Sequence, residues 1–215
     1  MDRVAPQVVF QFLGISVTDT VVSTWIMMLI IIGGIVIVRR FFPSLLEKLI
    51  TFLSDTISDV MERPAEPYLP YLGSLIVFIL VANVIGVVPI ITTPTKDLNT
   101  TAALAITVFF AVHVFGIRKK GVWGHIKTMA APLGLFFLML PLDIVGQLSR
   151  TLALALRLFG NIISSELIVD VVYEVAPIVV PLPMIALGLF TGVLQAYIFT
   201  ILATVFINLA VRENE

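Results

Sequence analysis

Eighteen consecutive residues without a charge, VVSTWIMMLIIIGGIVIV from Val21 to Val38, are closed at once by Arg39 and Arg40, and no other feature limits the fold as much. As a helix such a run reaches about 27 Å at 1.5 Å per residue, close to the roughly 30 Å hydrocarbon core of a bilayer. Lipid offers no hydrogen bonds to the backbone, so a spanning segment of this kind is helical. The composition is that of a membrane protein: 59% of residues are hydrophobic, 13% are charged, and the mean hydropathy is +1.10. The 215 residues have room for about five or six spans in one membrane domain. The opening segment has no basic leader and no A-x-A cleavage pattern, so it is read as an uncleaved span.

Further along, residues 43–63 place Leu45, Leu46, Leu49, Phe52 and Leu53 at helical spacing among Glu47, Lys48, Asp55, Asp59 and Glu62. This is the pattern of an amphipathic helix lying in the membrane interface. Pro64, Pro67 and Pro70 break the chain before a second span at 71–91, and TTPTKDLNT turns it into a third at 100–117, ended by Arg118, Lys119 and Lys120. From Met129 to Leu142 a proline-bounded stretch is too short for a comfortable span. Residues 142–176 and 183–211 then read as two helices too long for a perpendicular crossing. The expected fold is therefore all-α: about five spanning helices, one interfacial helix, and two long, strongly tilted C-terminal helices forming a hairpin.

Basic residues set the orientation. Segment 118–127 carries Arg118, Lys119, Lys120 and Lys127 with no acid, so it is expected in the cytoplasm, together with residues 39–70 and the C-terminus. The N-terminus and the Lys96 loop then face outside. A net charge of -1 argues against a nucleic-acid partner, and the absence of cysteine removes disulfide and thiolate chemistry. His113 and His125 stand too far apart in sequence to suggest a metal site. No cofactor is expected.

Within the first long C-terminal helix, LALALRLFGNIISSELIVD sets Arg157, Asn161, Glu166 and Asp170 among leucines and isoleucines. Asp143, Arg150 and Arg157 are seven apart and share a face, extended by Gly160, Asn161 and Ser164. Glu166, Asp170 and Glu174 are four apart and form a second stripe, roughly opposite Arg157. An arginine at mid-membrane depth costs about 2.5 to 3.5 kcal/mol and needs a partner or a wet cavity. The last helix carries Gly188, Gly192, Gln195 and Phe199 on one face, suited to close helix approach, with Gln195 expected to face Arg157. Plainer readings stand beside these: Asp143, Arg150 and Glu174 as interface anchors, Asn83, Asn99 and Gln147 as inter-helix hydrogen bonds, His113 packed near a helix end. For Arg157 the plain reading is weak, because no acid lies within one turn of it and an arginine without a nearby acid is poor glue.

RTLALALRLFGNIISSELI followed by GVLQAYIFTILATVFI resembles the two signature helices of subunit a of the F-type ATP synthases, the membrane stator beside the rotating c-ring. The similarity extends to ERPAEPYLPYLGSLIVFILVANVIGVVP and DLNTTAALAITVF. The resemblance implies that Arg157 is the essential stator arginine and Gln195 the glutamine paired with it. It further implies that Asn161 and Glu166 belong to an outer half-channel, that Asp143 and Arg150 lie toward the cytoplasm, and that the c-ring and the peripheral-stalk subunit b are partners in a cell inner membrane. Some members carry a histidine where this chain has Gly188 or Ser165, so Asp170 and Glu174 are candidates for the outer path. The coupling ion is expected to be H+, with Na+ open. A secondary carrier for an anion and a passive assembly scaffold are the other classes. Against the first stands the lack of internal repeats, against the second the buried ionisable ladder.

Overall fold

The charge-free opening run becomes helix α1, Asp19–Phe41, and Arg39 and Arg40 fall in its last turn, where cations suit the helix dipole. The computed structural model describes residues 8–12, 15–86, 93–129, 136–175 and 181–212. Helices α2, Pro43–Met61, α3, Leu69–Ile85, α4, Leu98–Met129, α5, Phe136–Val175, and α6, Pro181–Val211, follow, with a 3-10 turn at Pro94–Lys96 before α4. Stretches of α1, α4, α5 and α6 are long and apolar enough to cross a membrane, and α3 is a shorter apolar helix of 17 residues. The helical membrane architecture is as expected. One element is added: strands β1, Val8–Phe12, and β2, Ile15–Thr18, pair antiparallel and lead directly into α1. Their sequences VVFQF and ISVT are rich in β-branched and aromatic residues.

Buried side chains of α3, α4, α5 and α6 share one core, in which Leu72 and Ile79 meet Val108, Leu158, Phe199 and Ile207. Helix α2 is amphipathic as read: Leu53, Ile57 and Met61, at four-residue steps, are buried, while Leu45, Leu49 and Phe52 are exposed. Its end is tied to the end of α6, since Arg63 Nη1 donates to the Val211 carbonyl at 3.4 Å and Asn208 Nδ2 to the Val60 carbonyl at 3.3 Å. At the opposite end of the bundle Thr20 Oγ1 donates to Asp97 Oδ2 at 3.0 Å, and Asp97 Oδ1 accepts the Asn99 backbone N–H at 2.9 Å, starting α4.

Small residues allow the helices of the C-terminal half to approach. A Cβ on Gly192 would lie 3.1 Å from the Asn83 Cβ of α3, and one on Gly188 would lie 3.3 Å from the Ser165 Cβ of α5. The glycine pair of α6 thus serves two neighbours, one glycine each.

Two helices run beyond their expected limits. The span expected at 100–117 continues past Arg118–Lys120 and turns at Gly121, whose φ of 73° and ψ of 167° belong to a region open essentially only to glycine. Beyond it the chain is helical again to Met129. The helix expected from 142 starts at Phe136 and carries Pro141 inside it, at the loss of one backbone hydrogen bond. At 40 and 31 residues, α5 and α6 reach about 60 and 46 Å, the excess length a tilted or partly interfacial course requires. The expected end of the second span at 91, much of the stretch after Met129, and the turn around Pro177 lie outside the described residues.

Candidate functional site

Helix α5 buries Leu154, Ala155, Leu158 and Ile162 against the bundle, and this register turns Arg157 and Asn161 outward. Arg157 is exposed, and among the described residues its guanidinium has no hydrogen-bond or ion-pair partner. The face around it is open and small: Ser164 is exposed, and a Cβ on Gly160 would meet nothing within 4 Å. Among the described residues, then, nothing covers the surface on which this cation stands. In a bilayer such a surface calls for a partner or for water.

One turn beyond Arg157, Asn161 Nδ2 donates to Gln195 Oε1 at 2.7 Å. The glutamine is buried at 2% exposure, and its Nε2 has no partner. Gln195, expected to face Arg157, is here bonded to Asn161. Behind α6 the polar layer continues, because Asn83 Nδ2 donates to the Gly192 carbonyl at 2.8 Å and Thr95 Oγ1 to Asn83 Oδ1 at 2.9 Å.

About 14 Å further along α5 lies Glu166, half-buried. It faces Thr93 and Lys96 of the turn between α3 and α4, with Asp170 beside it on its own helix. Asp170 and Glu174 are exposed. Along the acidic stripe exposure is thus graded, from half-buried Glu166 to exposed Asp170 and Glu174. Of the asparagines read as inter-helix hydrogen bonds, Asn83 is buried under α6, whereas Asn99 is exposed at the start of α4.

In the other direction, beginning about 10 Å from Arg157 along α5 and reaching to about 21 Å, a cavity of about 160 Å³ opens between α4, α5 and α6. Asp143, Gln147 and Arg150 line it from α5, His125 from α4, and Phe206 and Leu209 from α6. Gln147 Nε2 donates to Asp143 Oδ2 at 2.8 Å, and Arg150 Cζ stands 5.8 Å from the Phe206 ring centroid. The seven-residue face of Asp143, Arg150 and Arg157 is therefore split, its first two members at a cavity and the third on the open surface.

Sequence reasoning did not find the histidines of this cavity. The reversal at Gly121 brings His125 Nε2 to 3.0 Å from His113 Nδ1, although an uninterrupted helix would separate residues 12 apart by about 18 Å. The available signal was a glycine directly after Arg118–Lys120, followed by a second helix-compatible run.

A family model described as ATP synthase A chain matches residues 20–208. The chain is 43% identical over 208 residues to a protein named ATP synthase subunit a 2 from Bradyrhizobium sp., covering 92% of this chain and 90% of that one. It is 45% identical over 205 residues to ATP synthase subunit a 1 from Chlorobaculum parvum, covering 91% and 89%. With ATP synthase subunit a from Albidiferax ferrireducens the identity is 40% over 210 residues, covering 94% and 90%.

Proposed function

Because this chain belongs to the ATP synthase A chain family, and is thereby a multi-pass membrane component of the ATP synthase complex, we propose that it is the ion-translocating stator of that rotary machine. In this reading the open face of α5 lies against the c-ring, and the peripheral-stalk subunit b holds the chain still. Arg157 separates two half-channels. The outer one uses Glu166, Asp170, Glu174, Asn161 and Gln195, and the inner one Asp143 and Arg150.

The observation that carries the reading is the exposed, unpartnered guanidinium of Arg157 between two polar regions of one helix. A c-ring carboxylate stays protonated while it faces lipid, where ionisation is costly, and must release its proton at the stator. A cation about 4 Å away, at an effective dielectric near 20, stabilises the carboxylate by about 4 kcal/mol, roughly a thousandfold in its ionisation equilibrium. The same cation repels a proton moving directly from one half-channel to the other. Protons then cross by riding the ring.

Orientation follows from charge. The ends of α1 and α2, the Arg118–Lys120 cluster and Arg212 gather basic residues at the end of the bundle that holds the cavity, which makes this the cytoplasmic end. The coupling ion in this reading is H+.

The test is Arg157→Ala in the assembled complex, reconstituted into liposomes, with ATP-driven ion pumping followed as Na+ is varied. Pumping is expected to be lost while ATP hydrolysis in detergent persists. Normal coupled pumping would overturn the reading, and Na+-dependent pumping by the parent enzyme would replace H+ by Na+.

A further inference from the structure

The chain has two histidines, and the fold puts them together. Their rings are 5.3 Å apart and nearly perpendicular, and the ring of Phe109, 4.5 Å from that of His113, backs the pair on α4. Two glycines make the contact possible. Gly121 provides the reversal, and Gly116 provides the seat, since a Cβ there would lie 2.6 Å from Cε1 and Nδ1 of His125.

His125 is 5% exposed, and its Nδ1 is buried with no partner among the described residues, yet the residue lines the cavity of Asp143, Gln147 and Arg150. Gln147 Oε1, from the opposite wall, is likewise buried and unpartnered. Buried polar atoms without protein partners are normally satisfied by water, and about 160 Å³ holds several molecules. The cavity has room for water, and His125, Asp143, Gln147 and Arg150 stand on it.

We infer that the His113–His125 pair is a proton-binding site that loads this cavity, and so a functional part of the inner half-channel. The inference rests on the stator reading above. In the neutral pair one N–H lies between His125 Nε2 and His113 Nδ1. When His125 is the donor, its Nδ1 carries the free lone pair of a ring that lines the cavity. A hydronium ion in the cavity gives its proton to that nitrogen, leaving neutral water and the pair with one positive charge, which the second imidazole shares through the N–H···N bond. Release reverses the step, to water or to Asp143.

The charged groups facing the pair are Asp143 from α5 and Lys120 from its own helix, with Arg150 across the cavity, while α6 contributes apolar side chains. The Asp143 carboxylate is the one acid among these groups, so it is the natural counter-charge for a proton held on the pair.

The experiment is ATP-driven proton pumping by the whole complex in liposomes, catalytic head outward, with external pH varied over about 5 to 8, the range in which histidine changes charge. Pumping is divided by detergent-uncoupled ATP hydrolysis at each pH, which removes the catalytic head's own pH dependence. His125→Gln is expected to lower the ratio several-fold within the range in which the pair changes charge and to abolish the histidine-range inflection. His113→Gln keeps a hydrogen-bond partner for His125 but cannot share the proton, and is expected to shift the inflection to lower pH. A parental profile in His125→Gln overturns the inference, and failure of both variants to assemble overturns it in favour of a purely structural pair. Arg157→Ala run in parallel separates the two readings. Pumping retained there overturns the stator itself, whereas pumping lost there beside an unmoved His125→Gln profile overturns only the histidine site.

Discussion

Asn161 and Gln195 join α5 to α6 through a 2.7 Å side-chain hydrogen bond one turn from Arg157, and the glutamine end of that bond is buried. The bond fixes the rotation of α5 about its axis just where the arginine must point outward. Asn161→Leu leaves the Gln195 amide without its acceptor bond, an unsatisfied buried group worth about 1 to 3 kcal/mol. Gln195→Leu removes both the bond and the unpartnered Nε2. Thermal unfolding of the purified subunit should therefore show a double variant less destabilised than the sum of the two singles, by about 1 kcal/mol. Additive losses would mean that the bond does not couple the helices.

The polar ladder of α5 was legible in the sequence because charges inside an apolar helix have few interpretations. Spacing by seven and by four separates Arg157 from Glu166 with no knowledge of neighbours. The partner of Gln195 was not legible to the same degree. Periodicity puts Arg157 and Asn161 on one face, but which of them meets the glutamine depends on how far α6 is shifted along α5. The histidine pair was hidden for a different reason: it exists through the backbone angles of Gly121, and a glycine after a basic cluster is compatible with a simple stop.

For the acidic stripe, the gradient from half-buried Glu166 to exposed Asp170 and Glu174 predicts a gradient of effect. Glu166→Gln should slow proton flux through the reconstituted complex strongly, Asp170→Asn moderately and Glu174→Gln little. Lys96→Ala tests the same site from the other wall, since Lys96 faces Glu166 from the turn before α4. Its loss should also slow flux, by removing the polar group that faces Glu166 across the stripe. Equal flux in Glu166→Gln and the parent would take the outer path away from this stripe.

Orientation can be read with cysteines, because the chain has none of its own. Lys119 and Asn99 are exposed at opposite ends of α4, before its reversal, while Lys96 is half-buried and a poorer reporter. A cysteine at 119 should react with an impermeant thiol reagent only from the cytoplasmic side, and one at 99 only from outside. The opposite pattern would show that the basic end is not the cytoplasmic one.

Two glycines of the C-terminal hairpin make opposite predictions and so test which surface meets the ring. At Gly192 a Cβ would lie 3.1 Å from Asn83, and the Gly192 carbonyl accepts the Asn83 amide. Gly192→Val therefore forces α6 away from α3, and should cost the isolated subunit about 1 to 3 kcal/mol as an overpacked contact. At Gly160 a Cβ meets nothing within 4 Å, and the position lies between Arg157 and Asn161 on the uncovered face. Gly160→Val should thus change the isolated subunit's stability by no more than the ordinary helix preference of valine over glycine, a few tenths of a kcal/mol. In the complete enzyme it should act differently, because a side chain there pushes Arg157 away from the c-ring carboxylates. Moving a charge pair from about 4 to 6 Å removes about a third of its Coulomb energy at a given dielectric, enough to slow proton release by roughly tenfold. The measurements are thermal unfolding of each purified subunit and ATP-driven pumping of each complex. A Gly160→Val enzyme that pumps normally would place the ring on another face of α5.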